Sequence, residues 1–277
     1  MAGNGSAAER AELLSSKYPE SIVCDMTAIS SYKEFFEQVG QEDAIVICGG
    51  DGTLNRFAND TACIGVKNKI FYSPVGSGND FFRDLTEASD ESDMYDITRY
   101  LAHLPKVEVN GKTSCFINGV GYGIDGYCCE EGDRLKAKAA KKINYTNIAI
   151  KGLLFKFKRV NATVTVDGKK HEFKKVWLAP TMNGKYYGGG MMPTPEQDRL
   201  SEDGRLSLLV FHGSGKLKTL MAFPSIFTGE HVKHTKITEV LTGYDITVEF
   251  DRPAALQIDG ETVSGVRKYR ATSWNAK

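Results

Sequence analysis

Residues 44–55, AIVICGGDGTLN, place three glycines, one carboxylate and one hydroxyl directly behind an apolar, β-branched run. A buried strand ending in Gly49-Gly50-Asp51-Gly52-Thr53 brings main-chain N–H groups to the mouth of a sheet, where a polyphosphate can be received. Gly and Asp are common turn residues, but three glycines around one aspartate exceed what a plain strand-to-helix turn needs. A second small-residue turn, Gly76-Ser77-Gly78, follows the run KIFYSPV (69–75) and leads into Asn79 and Asp80. On neighbouring strands of one sheet the two turns would face each other across its carboxyl edge as a phosphate cradle.

Other patterns carry less. Gly121-Tyr122-Gly123-Ile124-Asp125-Gly126 fits the dinucleotide fingerprint but lies mid-chain, outside the βαβ unit that such a fingerprint opens, so a hinge or lipid-facing loop is expected there. His231 and His234 form an HxxH pair without a further ligand set and read as surface histidines. GSGK at 213–216 lacks the other marks of a P-loop. The six cysteines, Cys24, Cys48, Cys63, Cys115, Cys128 and Cys129, form no CxxC pair and read as reduced thiols of a cytoplasmic protein.

The elements that must position these residues follow from patterning. Strand-like and helix-like runs alternate through SIVCDMT (21–27), SYKEFFEQVG (31–40), AIVIC (44–48), LNRFANDTACIG (54–65) and KIFYSPV. That alternation implies a parallel α/β sheet, whose ligands sit at the carboxyl ends of its strands. After about Asp96 the rhythm changes to paired runs marked by Asn110-Gly111, Asp167-Gly168, Asp203-Gly204 and Asp259-Gly260, the signature of antiparallel hairpins. The reading is therefore an α/β domain over 1–97 and a mostly β domain over 98–277, with a cleft between domains as the default place for a two-substrate reaction.

Thirty-five basic and 35 acidic residues give zero net charge, so the protein's overall field names no nucleic-acid partner. One local patch stands out: Arg134 to Arg159 carries Lys136, Lys138, Lys141, Lys142, Lys156 and Lys158, with Leu135, Ile143, Ile148, Leu153, Leu154, Phe155 and Phe157 interleaved and no Asp or Glu. Such a basic amphipathic segment suits an anionic membrane surface, and alone it equally suits a solvated helix face. No signal peptide or long apolar span is present.

GGDGTLN followed by PVGSGND resembles the catalytic domain of the soluble bacterial diacylglycerol kinases, and sphingosine, ceramide and NAD kinases share the first element. FINGVGYGIDG (116–126), YYGGGMMPTPEQDRLSEDGRLSLLVF (186–211) and LQIDGETV (256–263) extend the resemblance through the chain in order. It implies an NAD-kinase-like parallel α/β nucleotide-binding domain followed by a mostly antiparallel β-sandwich that takes the lipid. It implies ATP at Gly49, Gly50, Asp51, Gly52, Thr53, Leu54, Asn55 and Arg56, with Thr27 as a further nucleotide contact and Ser77 standing where the family has Thr. Asp51 would help hold the catalytic Mg²⁺ and the phosphates, and Glu261 takes the general-base position. A structural Mg²⁺ is implied at the Leu200 carbonyl, the Asp203 carboxylate and the Arg205 carbonyl, a set of hard oxygens. The implied reaction is phosphorylation of diacylglycerol to phosphatidic acid at the inner face of the membrane, by a cytoplasmic protein in peripheral contact. A homodimer is compatible with the resemblance and is specified by nothing in the sequence.

The chain departs from the family in two places. A strand ending in N-P-x-A-G precedes the family's first helix; here Ala2-Gly3 stands as its tail, and a start placed too late is expected to account for the strand. Arg56 replaces a common glutamate, reversing a charge beside the phosphates and offering them a guanidinium. Two alternatives stay open: a kinase of a sphingoid base or another lipid, and a nucleotide- or lipid-binding protein without turnover.

Overall fold

The computed structural model describes residues 5–76, 79–85, 92–138 and 145–276. The chain divides into two units, Met1–Leu104 and Pro105–Lys277.

The first unit runs through α1 (Ser6–Lys17), a 3₁₀ turn (Met26–Ala28), α2 (Tyr32–Gln38), β1 (Ile45–Gly49), α3 (Asp51–Thr61), β2 (Ile70–Pro74), α4 (Asp80–Leu85), β3 (Tyr95–Asp96) and α5 (Thr98–Ala102). β1 and β2 pair in parallel, from Ile45 opposite Ile70 to Gly49 opposite Pro74, and β3 adds antiparallel to β2. The in-register parallel pair sets the carboxyl ends of β1 and β2 side by side. α3 buries Leu54, Phe57, Ala58 and Thr61, the i, i+3, i+4, i+7 stripe of a helix packed on a sheet. α2 starts at Ser31, whose hydroxyl accepts from the Glu34 N–H at 3.3 Å, and Tyr32 meets the Phe57 ring edge-on at 6.0 Å. Arg10 fastens α1 to β2 by donating to Ser73 Oγ at 2.8 Å and to the Asp93 carbonyl at 2.8 Å.

One expected strand did not form. Residues 21–25 run as coil into the 3₁₀ turn, with Ile22 88% and Val23 55% exposed. β-branched composition favours a strand only where its backbone pairs, and among the described residues 21–25 pair with no strand.

The second unit contains β4 (Lys106–Val109), β5 (Lys112–Cys115), β6 (Gly119–Tyr122), α6 (Ile124–Lys136), α7 (Tyr145–Lys151), a π-helical turn (Gly152–Lys156), β7 (Val160–Val166), β8 (Lys169–Val176), β9 (Thr181–Met182), β10 (Leu206–Phe211), α8 (Lys216–Ala222), 3₁₀ turns at Phe223–Phe227 and Glu230–Lys233, β11 (Thr238–Gly243), β12 (Asp245–Ile258) and β13 (Glu261–Thr272). The strands are joined antiparallel in the order β11-β10-β9-β6-β12-β13-β4-β5, with β7 on β12 and β8 on β7. β12 changes neighbour along its length: Ile246–Phe250 pairs with β7 and Leu256–Ile258 with β6, across an irregularity that contains Pro253. Tyr122 stacks on Phe250 with centroids 3.6 Å apart in the centre of the core, and its hydroxyl donates to the Val266 carbonyl at 2.6 Å.

Three of the four Asn-Gly and Asp-Gly pairs make hairpin turns with both central residues at positive φ: Asn110 and Gly111 (51°, 74°), Asp167 and Gly168 (48°, 81°), Asp259 and Gly260 (47°, 94°). The fourth, Asp203-Gly204, is no two-residue hairpin turn: it lies at the end of the long connection between the paired strands β9 and β10, with positive φ at Gly204 alone. The expected hinge or lipid-facing loop at 121–126 is buried throughout, a core strand running into α6. Gly126 explains why: a Cβ there would lie 2.1 Å from the Ala255 carbonyl oxygen, so α6 touches the backbone of β12. His231 is likewise no surface residue; it is fully buried with Nε2 at 2.8 Å from the Pro193 carbonyl, whereas His234 is exposed. The basic stretch 134–159 is not one helix but spans the end of α6, α7, the π-turn and the entry to β7, with Lys141, Lys142 and Ile143 outside the described residues. All six cysteines are free.

Because the clash at Gly126 is with backbone rather than a movable side chain, Gly126→Ala should lower the stability of the second unit by about 2–3 kcal/mol, read as a shift in the urea midpoint at unchanged slope.

Candidate active site

In the first unit the described residues on either side of the second small-residue turn lie against the first turn. The Val75 N–H donates to the Gly49 carbonyl at 2.9 Å, and the Asp80 N–H, at the start of α4, donates to Asp51 Oδ2 at 2.8 Å. Asp51 thus opens α3 and caps the neighbouring helix with one side chain, in a half-buried position. Gly50 leads into α3 in an extended conformation, and its carbonyl accepts from Thr53 and Leu54 at 3.0 and 3.1 Å. The first amides of the helix come before any intrahelical acceptor and carry the positive end of its dipole. Gly49 has no room for a Cβ, which would fall 2.5 Å from Thr53 Oγ1. Beneath the turn lies Tyr72, fully buried; burial first, and then the negative charge of Asp51, hold its phenol far above the ordinary range, so it remains an O–H donor.

The remaining nucleotide-binding candidates divide. Leu54 is in the core and offers only its backbone. Asn55 receives the Asn59 amide at 3.1 Å on its side chain, one turn along α3. Arg56 is exposed, with its Nε 3.4 Å from Asp60 Oδ2 further down the same face of α3. Thr27 is exposed on its 3₁₀ turn, with N–H and hydroxyl both donating to Asp25 Oδ1 at 2.9 and 2.7 Å. These two hydrogen bonds hold the Asp25 carboxyl below its ordinary value. Ser77 lies outside the described residues.

In the second unit three sequence motifs converge on the loop 117–119. The Asp259 carboxylate accepts from the amides of Ile117, Asn118 and Gly119 at 2.6, 2.8 and 2.9 Å, while its own N–H donates to the Gly119 carbonyl at 3.1 Å. Gln257 Oε1 accepts from the Gly260 N–H at 2.7 Å and closes the turn from the other side. The exposed Glu261 therefore sits at the first position of β13, on a tip fixed from two directions. Buried Arg199 donates to the Ile117 carbonyl at 3.0 Å and to Asn118 Oδ1 at 3.1 Å, and buried Gln197 donates to the Arg205 carbonyl at 2.9 Å. These contacts anchor the Asp203 turn to the same loop as Glu261.

Asp203 is exposed, and its carboxyl is held below the ordinary range by the Ser201 hydroxyl and then by the Arg205 N–H. Arg205 Nε lies 3.1 Å from Asp203 Oδ2, a guanidinium in the position of a cation, so the oxygens of Leu200, Asp203 and Arg205 have the chemistry to hold a hard ion in its place. Among the described residues no group of three or more His, Cys, Asp or Glu is arranged to hold a metal ion.

Asp125, in the first turn of α6, is buried, and burial pushes its carboxyl up to about 6, against the lowering effects of amides at the helix start and the Tyr187 hydroxyl. Cys129 lies within the fields of both Asp125 and Glu261, and burial first of all pushes its thiol up to about 12. Sequence reasoning passed over Asp259, Arg199, Gln197 and Asp125 as actors. Asp259 was visible within the Asp-Gly-Glu triplet, but its role depends on contacts more than a hundred residues away in sequence.

Residues 2–106 match the family described as the diacylglycerol kinase catalytic domain, and residues 118–270 the YegS C-terminal NAD kinase beta sandwich-like domain. A diacylglycerol kinase of Mycobacterium tuberculosis is 26% identical over 219 residues, covering 76% of this chain and 67% of that protein. The crystal structure of a diacylglycerol kinase from Bacillus anthracis superimposes with a TM-score of 0.56 at 23% identity, covering 88% of this chain and 78% of that one, a likeness of fold.

Asp259→Asn leaves one of three amides facing a donor in place of an acceptor and should cost about 1–3 kcal/mol in urea unfolding. For Asp125 the folded-state value lies above the unfolded one, so the ionised carboxyl destabilises the fold above pH about 6, and that cost disappears as pH falls toward the unfolded value. Asp125→Asn should therefore melt higher than the parent at pH about 8, with the gap closing between pH about 6 and about 4, in thermal melts across that range.

Proposed function

The chain belongs to the diacylglycerol kinase-like family of lipid kinases, and from this we propose that it transfers the γ-phosphate of ATP to the free hydroxyl of diacylglycerol, giving phosphatidic acid. That it is a lipid kinase follows from its family; donor, acceptor and residue roles are our reading of the site. The observation that carries the reading is a chain with both halves of a phosphotransferase kit. One unit has a glycine-lined helix N-terminus with a carboxylate in its first turn, and the other has an exposed carboxylate on a rigid hairpin tip.

Phosphoryl transfer needs positioning and charge neutralisation more than covalent chemistry from the protein. The amides of α3 would receive the phosphates of ATP, with Gly49, Gly50 and Gly52 leaving the backbone accessible and Thr53 offering its hydroxyl. Glu261 would take the proton from the lipid hydroxyl as that oxygen bonds to the γ-phosphorus and the bond to ADP breaks. Asp51 would hold Mg²⁺ beside the phosphates, and Leu200, Asp203 and Arg205 would supply the oxygens for a structural ion. When bound at the phosphates, the metal neutralises their charge.

The reading makes its acceptor testable with ATP, Mg²⁺ and a panel of diacylglycerol, monoacylglycerol, ceramide and sphingoid base in mixed micelles. Labelled phosphate should appear in phosphatidic acid, and Asp51→Asn and Glu261→Gln should each lower kcat by about 10²–10⁴-fold. Phosphorylation of another lipid in preference to diacylglycerol would replace the acceptor, and turnover unaffected by Glu261→Gln would remove the proposed base.

A further inference from the structure

α8 turns its amphipathicity inside out. Its sequence KLKTLMA buries Thr219 and Ala222, while Leu217 and Met221, one turn apart, are 70% and 76% exposed. A helix on a water-facing surface presents the opposite pattern. The neighbouring π-turn repeats the arrangement: Leu153 is buried and Phe155 is 74% exposed. The two elements are joined by Lys216 Nζ, which donates to the Leu154 carbonyl at 2.6 Å, and their inward residues Leu153, Ala222 and Ile226 share one core with Trp177.

Within the two segments that carry these exposed apolar residues, charge has one sign. Neither residues 134–159 nor residues 205–229 contain an Asp or Glu, and exposed Lys151, Lys156, Lys158, Lys216 and Lys218 flank Phe155, Leu217 and Met221. Lys156, Lys158 and Arg252 also line a recess of about 250 Å³ beside Phe157 and Pro253. The Arg252 guanidinium is held there by the carbonyls of Lys158 and Arg159. Glu130 lines the same recess, its carboxylate accepting from the Ser264 hydroxyl at 2.5 Å.

We infer that this face, made by the π-turn and α8, seats the second unit on a bilayer containing anionic phospholipid. Phe155, Leu217 and Met221 enter the acyl boundary, and the lysines and Arg252 meet the phosphates. The choice of a bilayer as occupant rests on the lipid-kinase reading and on charge. Apolar side chains ringed by cations match an interface where phosphates overlie hydrocarbon, and lysine stems can lie along that boundary with their heads in the phosphate layer. A second copy of this chain would bring lysine against lysine.

Full-length protein should sediment with vesicles of equal parts phosphatidylglycerol and phosphatidylcholine and not with phosphatidylcholine alone. The Phe155→Ser/Leu217→Ser/Met221→Ser variant should lose about tenfold or more in partitioning at unchanged circular dichroism. Lys216→Gln/Lys218→Gln should weaken binding chiefly at low salt. Wild-type binding indifferent to phosphatidylglycerol, triple-serine binding equal to wild type, or a triple-serine variant that converts a dimer to a monomer in light scattering would overturn the inference. Activity on dispersed dioctanoylglycerol without vesicles, expected to be equal in all three proteins, keeps the two readings apart. Vesicle binding without turnover by the parent would count against the kinase reading alone, and turnover without vesicle binding against the docking face alone.

Discussion

The second unit is organised by one carboxylate. Asp259 gathers the amides of Ile117, Asn118 and Gly119 at distances of 2.6–2.9 Å, and each would otherwise be a donor near the core in need of a partner. Because the same residue occupies the left-handed first position of a two-residue turn, the hydrogen bonds fix the loop entering β6 and the hairpin between β12 and β13 at once. Arg199 and Gln197 then tie the Asp203 turn to that loop. A tip carrying Glu261 is in this way held by groups from four separate stretches of chain, which is what a positioned side chain requires.

The first unit reaches a comparable result with less machinery. Parallel pairing of β1 and β2 sets Gly49 and Pro74 level. Asp51 reaches from the end of β1 to the Asp80 amide at the start of α4, and an acidic residue in the first turn of α3 also complements the helix dipole. The glycines have a steric role: at Gly49 the Thr53 side chain occupies the volume that a Cβ would need.

Local chemistry was legible in the sequence where local chemistry decides the outcome. Asn110-Gly111, Asp167-Gly168 and Asp259-Gly260 adopt the turns that their residue types demand, and a helix follows GGDGT as expected, although it starts at Asp51, inside the motif, and not at Leu54. Reading failed where a distant partner decides. Ile22 and Val23 look like strand but pair with none; 121–126 looks like a flexible glycine loop but is packed against β12; His231 looks polar but fills the core against Pro193. Asp203-Gly204 has the dipeptide of a hairpin but ends the long connection from β9 to β10, and its turn brings the Arg205 N–H to the Asp203 carboxylate instead.

Two carboxyl groups near Cys129 show why exposure, rather than residue type, assigns the chemistry. Asp125 and Glu261 both act on that thiol, so they lie in one neighbourhood, yet their surroundings differ. Asp125 is sealed beneath α6, its charge opposed by burial and only partly offset by the helix amides and Tyr187. A carboxyl in that position cannot be approached by the hydroxyl of a large apolar substrate, and ionising it works against the fold. Glu261, on an exposed tip, is open to such a substrate, and the hydrogen bonds that fix its hairpin run through Asp259 and Gln257, leaving the glutamate itself outside that network. The rigid part of the tip and its reactive part are therefore different residues, so the carboxylate proposed as base can approach a substrate without loosening the loop that aims it.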